Sequence, residues 1–301
     1  MARAWFIAVA AALLAGAAAR VAGPPAPIRY ATGRQIARLA NPQITESSGL
    51  AASTRTDGVF WTHNDSGDSP RLFAFNGKGE DLGTFAIRGA AAVDWEDMAS
   101  FALGGRHYLL IADVGDNAAR RVSCTLYFVL EPPLAAKPDR PPRPAALPLA
   151  ARVDFTYADG PHNCESVGVD VPRGEVLLVS KAGGECKAYT LPLPRRDWVR
   201  GAVARAVGTL RIPTTTAMDV SPDGLRAVVL TYGDAHEYAR DANEDWQAAF
   251  ARAPRTIKMP RRAQGESICF GRDGRTLYLT SEKQPCPLLE VAPADANAAG
   301  K

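Results

Sequence analysis

An acidic motif returns five times along this chain, each time at the head of a short apolar segment. It reads Thr45-Glu46-Ser47-Ser48-Gly49-Leu50, Asp94-Trp95-Glu96-Asp97-Met98-Ala99 and Asn163-Cys164-Glu165-Ser166-Val167. It comes back as Ala217-Met218-Asp219-Val220-Ser221 and Gly265-Glu266-Ser267-Ile268-Cys269. The carboxylates Glu46, Glu96, Glu165, Asp219 and Glu266 are spaced by 50, 69, 54 and 47 residues. Such a period marks one supersecondary unit used repeatedly, each copy burying its apolar face against the next.

Inside each period the apolar residues alternate over four to eight positions, and turn residues such as Asn76-Gly77 separate the runs, which is the pattern of short strands. Ser221-Pro222-Asp223-Gly224 and Gly271-Arg272-Asp273-Gly274 hold the same place in repeats four and five, with Val171-Pro172-Arg173-Gly174 as the third-repeat counterpart. Pro early in a turn with Gly closing it is a hairpin signal. The predicted fold is all-β, a five-bladed β-propeller. The last repeat lacks a fourth strand, and the strand-like segment 28–39 has no partner of its own. An N-terminal strand completing the last blade closes the ring and removes free sheet edges. One propeller domain is expected over residues 28–294, with a disordered tail at 295–301. Glu131–Pro148 is rich in proline and reads as an extended excursion on the rim. Residues 243–253 read as a short helix at the channel mouth, with Asn243 as N-cap and Glu244 and Asp245 in the first turn.

Residues 1–19 read as a signal peptide. Arg3 gives the basic region, Trp5 to Leu14 the apolar stretch, and Ala17-Ala18-Ala19 the cleavage site. A secreted or periplasmic protein is the expectation, with no membrane attachment after cleavage. The five cysteines, Cys124, Cys164, Cys186, Cys269 and Cys286, suit an oxidising compartment. Cys164 with Cys186 and Cys269 with Cys286 are the expected disulfides, leaving Cys124 a buried thiol. A formal net charge of +3 on 301 residues gives no argument for a nucleic-acid polymer as partner. A monomer is expected.

In a propeller the innermost strand of each blade lines a central channel, so carboxylates ahead of five such strands converge. Like charges that close cannot all ionise without a cation. The expected metal ligands are Glu46, Glu96, Glu165, Asp219 and Glu266. Their all-oxygen chemistry suits Ca²⁺, which takes six to eight oxygens. A second polar layer follows each second strand and surrounds the same mouth: His63-Asn64-Asp65, Asp113 to Asn117, Ser180-Lys181, Tyr232 to His236 and Ser281-Glu282-Lys283, joined by Asp94, Asp97, His162 and Asn163. Asp65, Asp116 and Asp234 are candidate acid/base groups. His63, Asn64, Asn117, Arg120, His162, Lys181 and Lys283 are candidate contacts to a small-molecule or carbohydrate ligand. No Gly-x-Ser-x-Gly elbow, phosphate loop or dinucleotide fingerprint is present.

The segments Asn64-Asp65-Ser66-Gly67, Asp94-Trp95-Glu96-Asp97, Gly115-Asp116-Asn117-Ala118-Ala119-Arg120-Arg121 and Gly265-Glu266-Ser267-Ile268 resemble a group of secreted bacterial β-propeller proteins over nearly the whole mature chain. More distantly, the pattern is similar to two five-bladed enzyme families. Calcium-dependent nucleotidases (apyrases) hold an axial Ca²⁺ at the starts of inner strands, where Glu46, Glu96, Glu165 and Glu266 stand here. Arabinanase-type glycosidases place three acids at the starts of their first inner strands. Glu46, Asp94 or Glu96, and Glu165 match those places, with Glu46 where that family uses Asp. The first resemblance implies the fold and secretion, and the function expected of the acidic mouth is a Ca²⁺-dependent hydrolase of phosphate esters or anhydrides. The alternatives are a ligand-binding propeller with a structural calcium, and a glycoside hydrolase.

Overall fold

The computed structural model describes residues 23–137, 145–194 and 198–295. The expected signal peptide and residues 296–301 of the expected tail lie outside the described residues. No described helix is long and apolar enough to cross a membrane.

The chain is all-β. After β1 (Arg34–Arg38), a first antiparallel unit comprises β2 (Ser47–Ala52), β3 (Val59–Asn64), β4 (Arg71–Asn76) and β5 (Asp81–Arg88). A second comprises β6 (Trp95–Leu103), β7 (Arg106–Asp113), β8 (Cys124–Leu130) and β9 (Ala145–Tyr157), and a third β10 (Cys164–Asp170), β11 (Glu175–Ser180), β12 (Cys186–Pro192) and β13 (Trp198–Leu210). The fourth holds β14 (Thr215–Val220), β15 (Arg226–Thr231), β16 (Ala235–Ala239) and β17 (Arg255–Ile257), with α1 (Trp246–Phe250) between its last two strands. The fifth is β18 (Ser267–Phe270), β19 (Leu277–Thr280) and β20 (Pro287–Val291), and β1 pairs antiparallel with β20 as its fourth strand. The apolar runs of the sequence fall on these strands, with β9 and β13 longer than their runs.

The shared turn repeats in detail. The N–H of Gly174, Gly224 and Gly274 reaches back to the carbonyl of Val171 (3.0 Å), Ser221 (2.7 Å) and Gly271 (2.9 Å), and each glycine has a positive φ. That backbone disfavours any side chain, which is why glycine closes all three hairpins.

Two outer strands do more than the pattern foretells. The 13-residue β9 and β13 pair parallel over Arg152–Tyr157 and Trp198–Ala204, and β9 also pairs parallel with β5 through Ala145–Pro148. The end of the proline-rich segment is therefore strand, and the first three units are hydrogen-bonded at their outer edges.

The first strands of the units meet at the centre. β2 packs on β6, β6 on β10, β10 on β14, β14 on β18, and β18 on β2. Asp97, fully buried, ties three of them. Its Oδ1 accepts from the Met98 N–H (2.9 Å), and its Oδ2 accepts from Val167 of β10 (2.8 Å) and Met218 of β14 (3.0 Å). Ser48 of β2 donates to the Glu96 carbonyl (2.6 Å), and Gly49 N–H to the Glu266 carbonyl (3.4 Å). Asp219 of β14 accepts from Phe270 of β18 (2.8 Å). A β-strand edge turned inward would leave N–H groups unpaired, and such groups are costly when buried.

Two expectations are corrected. All five cysteines are free and buried. Cys164 begins β10 and Cys186 begins β12, on either side of β11. Cys269 lies on β18 and Cys286 just before β20, on either side of β19. Strands two apart sit about 10 Å from one another, beyond the reach of a disulfide. Cys124 is a buried thiol, as expected. The helix is α1, shorter than the pattern suggests, and its N-cap is Asp245, which accepts from the Ala248 N–H. It does not line the acidic end. Trp246 donates to Asp170 (2.8 Å) at the far end of β10, where buried Arg240 pairs with the same carboxylate (2.9 Å).

Replacing Asp97 with Ala leaves three buried N–H groups without an acceptor, a loss of about 3–5 kcal/mol. Thermal unfolding of D97A is expected to show a Tm lower by roughly 10 °C. The five thiols are expected to react with a thiol reagent only after unfolding, with the Tm unchanged by reductant. Fewer than five reactive thiols in denaturant would mean that a disulfide exists.

Candidate functional site

The mouth at the starts of the first strands is built by backbone irregularity. In the second and third units the register slips across Trp95/Asp97 and Cys164/Ser166, so Glu96 and Glu165 are the bulged residues. A bulge re-aims a side chain that regular pleating would send elsewhere. Glu46 and Glu266 reach the same end from positions just ahead of β2 and β18. In the fourth unit the bulged residue is Thr216, whose hydroxyl donates to the Gly265 carbonyl (2.8 Å). Asp219 lies three residues deeper, paired with Val228 of β15 and turned toward the opposite end. It is not part of the acidic mouth. The clue is the spacing: Thr216 restores intervals of 51 and 50 residues to its neighbours, close to the 50 that separates Glu46 from Glu96.

Asp65, half-buried just after β3, is the hub. Carboxylate oxygens of Asp65, Asp94 and Glu96 lie within 4.8 Å of one another, and so do those of Asp65, Glu266 and Glu282. Asp94 and Glu282 complete the two groups, although the sequence alone assigned neither a metal-binding role. Glu96 is 4% exposed, and among the described residues its carboxylate has no hydrogen-bond donor or ion-pair partner. Gly115 leaves room for it, since a Cβ there would stand 2.2 Å from Glu96 Oε1 and 2.4 Å from Asp94 Oδ2.

The cationic charge at this mouth is small. Lys181 Nζ pairs with Glu165 Oε2 (2.6 Å) and lies 5.3 Å from the centre of the Tyr232 ring. Arg121 is held by Asp113 (2.8 Å). Burial, then the charges of Glu165, Asp65 and Asp94, push the Glu96 pKa far above the carboxylate range. Burial, less a hydrogen bond from Ser66 and with repulsion from Glu266, Asp94 and Glu46, raises Asp65 to about 6. Burial raises Asp94 as well. Glu282 is pushed up to about 8 by burial and by sharing its proton with Glu266. Glu266, despite its burial, is held low by that proton and by Gln264 (3.0 Å) and Tyr232 (3.1 Å).

Several of the other sequence candidates carry structural duties. His63 is buried against the Trp95 ring (5.5 Å), and burial lowers its pKa to about 4. Asn64 holds the chain ahead of β2: its Oδ1 accepts from Thr45 and Glu46, and its Nδ2 donates to Gln43 and Asp68. Asp116 accepts from Arg121 N–H (2.6 Å). Asp234 is paired with Lys258 (2.6 Å), which lowers its pKa against the effect of its partial burial. His162 bonds Asp159 (3.0 Å) and packs beside Tyr157 and Tyr189. Asn117 meets Asn163 (3.2 Å), which also bonds Glu165 (3.2 Å), so this pair borders the mouth. Arg120 and Lys283 are exposed.

No family model matches this sequence, and no curated protein matches it significantly.

In the cation-free protein the folded state holds mouth protons that the unfolded chain releases, so stability falls as pH rises. Below about pH 6.5 neutral His63 works the other way, because the unfolded chain takes up a proton there. The clean window runs from about pH 6.5 to 8, where Glu96 and Glu282 keep protons that the unfolded chain has already lost. With chelator present, the Tm is expected to fall across that window, and Glu96→Gln to flatten the slope. A Tm that rises with pH there would refute the assignment.

Proposed function

We propose that this chain is a secreted five-bladed β-propeller whose acidic mouth seats Ca²⁺ for hydrolysis of phosphate esters or anhydrides. Five antiparallel units, their first strands packed in cyclic order and β1 supplying the last outer strand, support the propeller. The observation that carries the metal is the buried, unpartnered carboxylate of Glu96 facing Asp65 and Asp94. An ionised carboxylate without donors is costly to bury, and a hard cation among three such groups removes both that cost and their mutual repulsion. The 4.8 Å limit on the oxygen separations fits a sphere of Ca–O bonds of about 2.3–2.6 Å.

Glu96 and Asp94 would hold the cation beside Asp65, and Glu266 and Glu282 would extend the oxygen set from the other side of Asp65. When bound, Ca²⁺ polarises a phosphoryl oxygen and offsets the charge that otherwise repels an anionic substrate. Asp65, half-buried between the two groups of carboxylates and raised to about 6 in the cation-free protein, would accept the proton of the attacking water. Asp116, which accepts from the Arg121 main-chain N–H, and Asp234, paired with Lys258, take no part in proton transfer. Lys283, exposed and bonded through its N–H to the Thr45 carbonyl ahead of Glu46, and exposed Arg120 are the cations left to meet substrate phosphate, since Lys181 is engaged by Glu165. The engagement of Asp234 by Lys258 and of Asp116 by a main-chain N–H also favours a second reading, a non-enzymatic binding propeller in which the calcium is structural.

Calorimetry is expected to show Ca²⁺ binding with proton release, weakened at least about tenfold by Glu96→Gln. In an assay panel of nucleotides, aryl phosphates and aryl glycosides, phosphate substrates are expected to turn over with Ca²⁺ and not with chelator. Asp65→Asn should lower kcat by about 100-fold or more. Bound calcium with no turnover would select the binding module, and no calcium uptake at all would refute the site.

A further inference from the structure

The opposite end of the five first strands encloses a cavity of about 290 Å³. Every first strand contributes to it: Ala52 from β2, Phe101 from β6, Val169 from β10, Val220 from β14 and Phe270 from β18. The lining is mostly apolar, and its polar members are Thr54, Ser100, Asp219 and Arg272. Asp219 of β14 is half-buried there, its Oδ1 accepting from Val220 N–H (2.8 Å) and its Oδ2 from Phe270 N–H (2.8 Å). Those donors leave each oxygen a further lone pair. Among the described residues no lysine or arginine forms an ion pair with Asp219, although exposed Arg272 shares the rim.

A carboxylate among apolar walls calls for a partner of defined chemistry. An anion is repelled by it. A hydrocarbon or an alcohol leaves its charge uncompensated. A metal ion finds too few oxygens, since Ca²⁺ takes six to eight and the cavity presents one carboxylate. An ammonium group supplies both charge and hydrogen bonds, and a short apolar body fits the Ala, Val and Phe lining. The volume, near the lower limit of about 300 Å³ for ligand pockets, confines the occupant to a small molecule. We propose that this cavity binds a small aliphatic primary amine, its ammonium paired with Asp219 and its alkyl group against β6, β10 and β18. The site stands apart from the acidic mouth and does not depend on calcium.

The test uses the full chain, titrated calorimetrically with 3-methylbutylamine, 3-methylbutanol and 3-methylbutanoate near neutral pH, with and without chelator. The amine is expected to bind in both conditions, and the alcohol and the carboxylate at least about tenfold more weakly. Asp219→Asn is expected to abolish amine binding. Val169→Phe, which keeps the carboxylate and fills the cavity, is expected to do the same, and it serves as the second variant should loss of the Phe270 bond unfold the first. The proposal fails if the wild-type chain takes no amine, if the alcohol binds as well as the amine, or if both variants bind it unchanged.

Discussion

Asp97 is the interaction on which the central packing turns. One carboxylate collects three backbone N–H groups from three different first strands, two of which lie far apart in sequence. The first strand of each unit has a neighbour in its own sheet on one side only. Its other edge faces the middle, where little water can reach it and where unpaired donors are expensive. A side chain with two acceptor oxygens satisfies several such edges at once. That β10 and β14 both reach the same oxygen means that the space between them is one side chain wide at this level. Asp219 repeats the device nearer the far end, joining β14 to β18.

The recurring acids thus have two separate duties that a short sequence motif does not distinguish. Those at the bulged or leading positions, Glu46, Glu96, Glu165 and Glu266, point to the mouth and crowd one another. Those further in, Asp97 and Asp219, serve backbone donors and hold strands together. In a strand a shift of one residue sends a side chain to the other face, and a bulge adds a residue on one side of the pair. Acid spacing counted along the chain therefore carries an error of a few residues. That error is enough to move a carboxylate from one end of the first strands to the other, as Asp219 demonstrates.

Much of the architecture was legible because its signals are local. Alternating apolar residues, the Gly-closed hairpins at 171–174, 221–224 and 271–274, and the unpartnered N-terminal strand gave strand positions and the β1–β20 pairing. The acids of the mouth were legible as a group, and Lys181 was identified, though as a substrate contact rather than the partner of Glu165. What stayed hidden depends on pairing between distant segments. The parallel contacts of β9 with β5 and β13 join strands from three units, and no local pattern encodes them. The separation of Cys164 from Cys186 by an intervening strand is invisible to a count of sequence spacing. Asp116 and Asp234 looked free because their partners, the Arg121 main-chain N–H and the Lys258 ammonium, are set by the folded backbone and not by the motif. Glu282 was seen in the polar layer, yet its closeness to Glu266 arises only when β18 and β19 pair.

The two ends of the first strands put the same physical conflict to different uses. Each holds carboxylates in surroundings that disfavour their charge, and burial raises Asp65 to about 6 and Asp219 to about 7. At the acidic mouth many oxygens share one space, so the charge needed to settle them is concentrated and hard, and a monovalent organic cation would leave most of the repulsion in place. At the far end one carboxylate stands among alkyl and phenyl groups, so a divalent ion would lack ligands while a single ammonium matches the charge present. Ligand density, more than acidity, therefore decides which kind of cation each end suits. In this protein that density is set by whether the acid sits on the bulge or three residues beyond it.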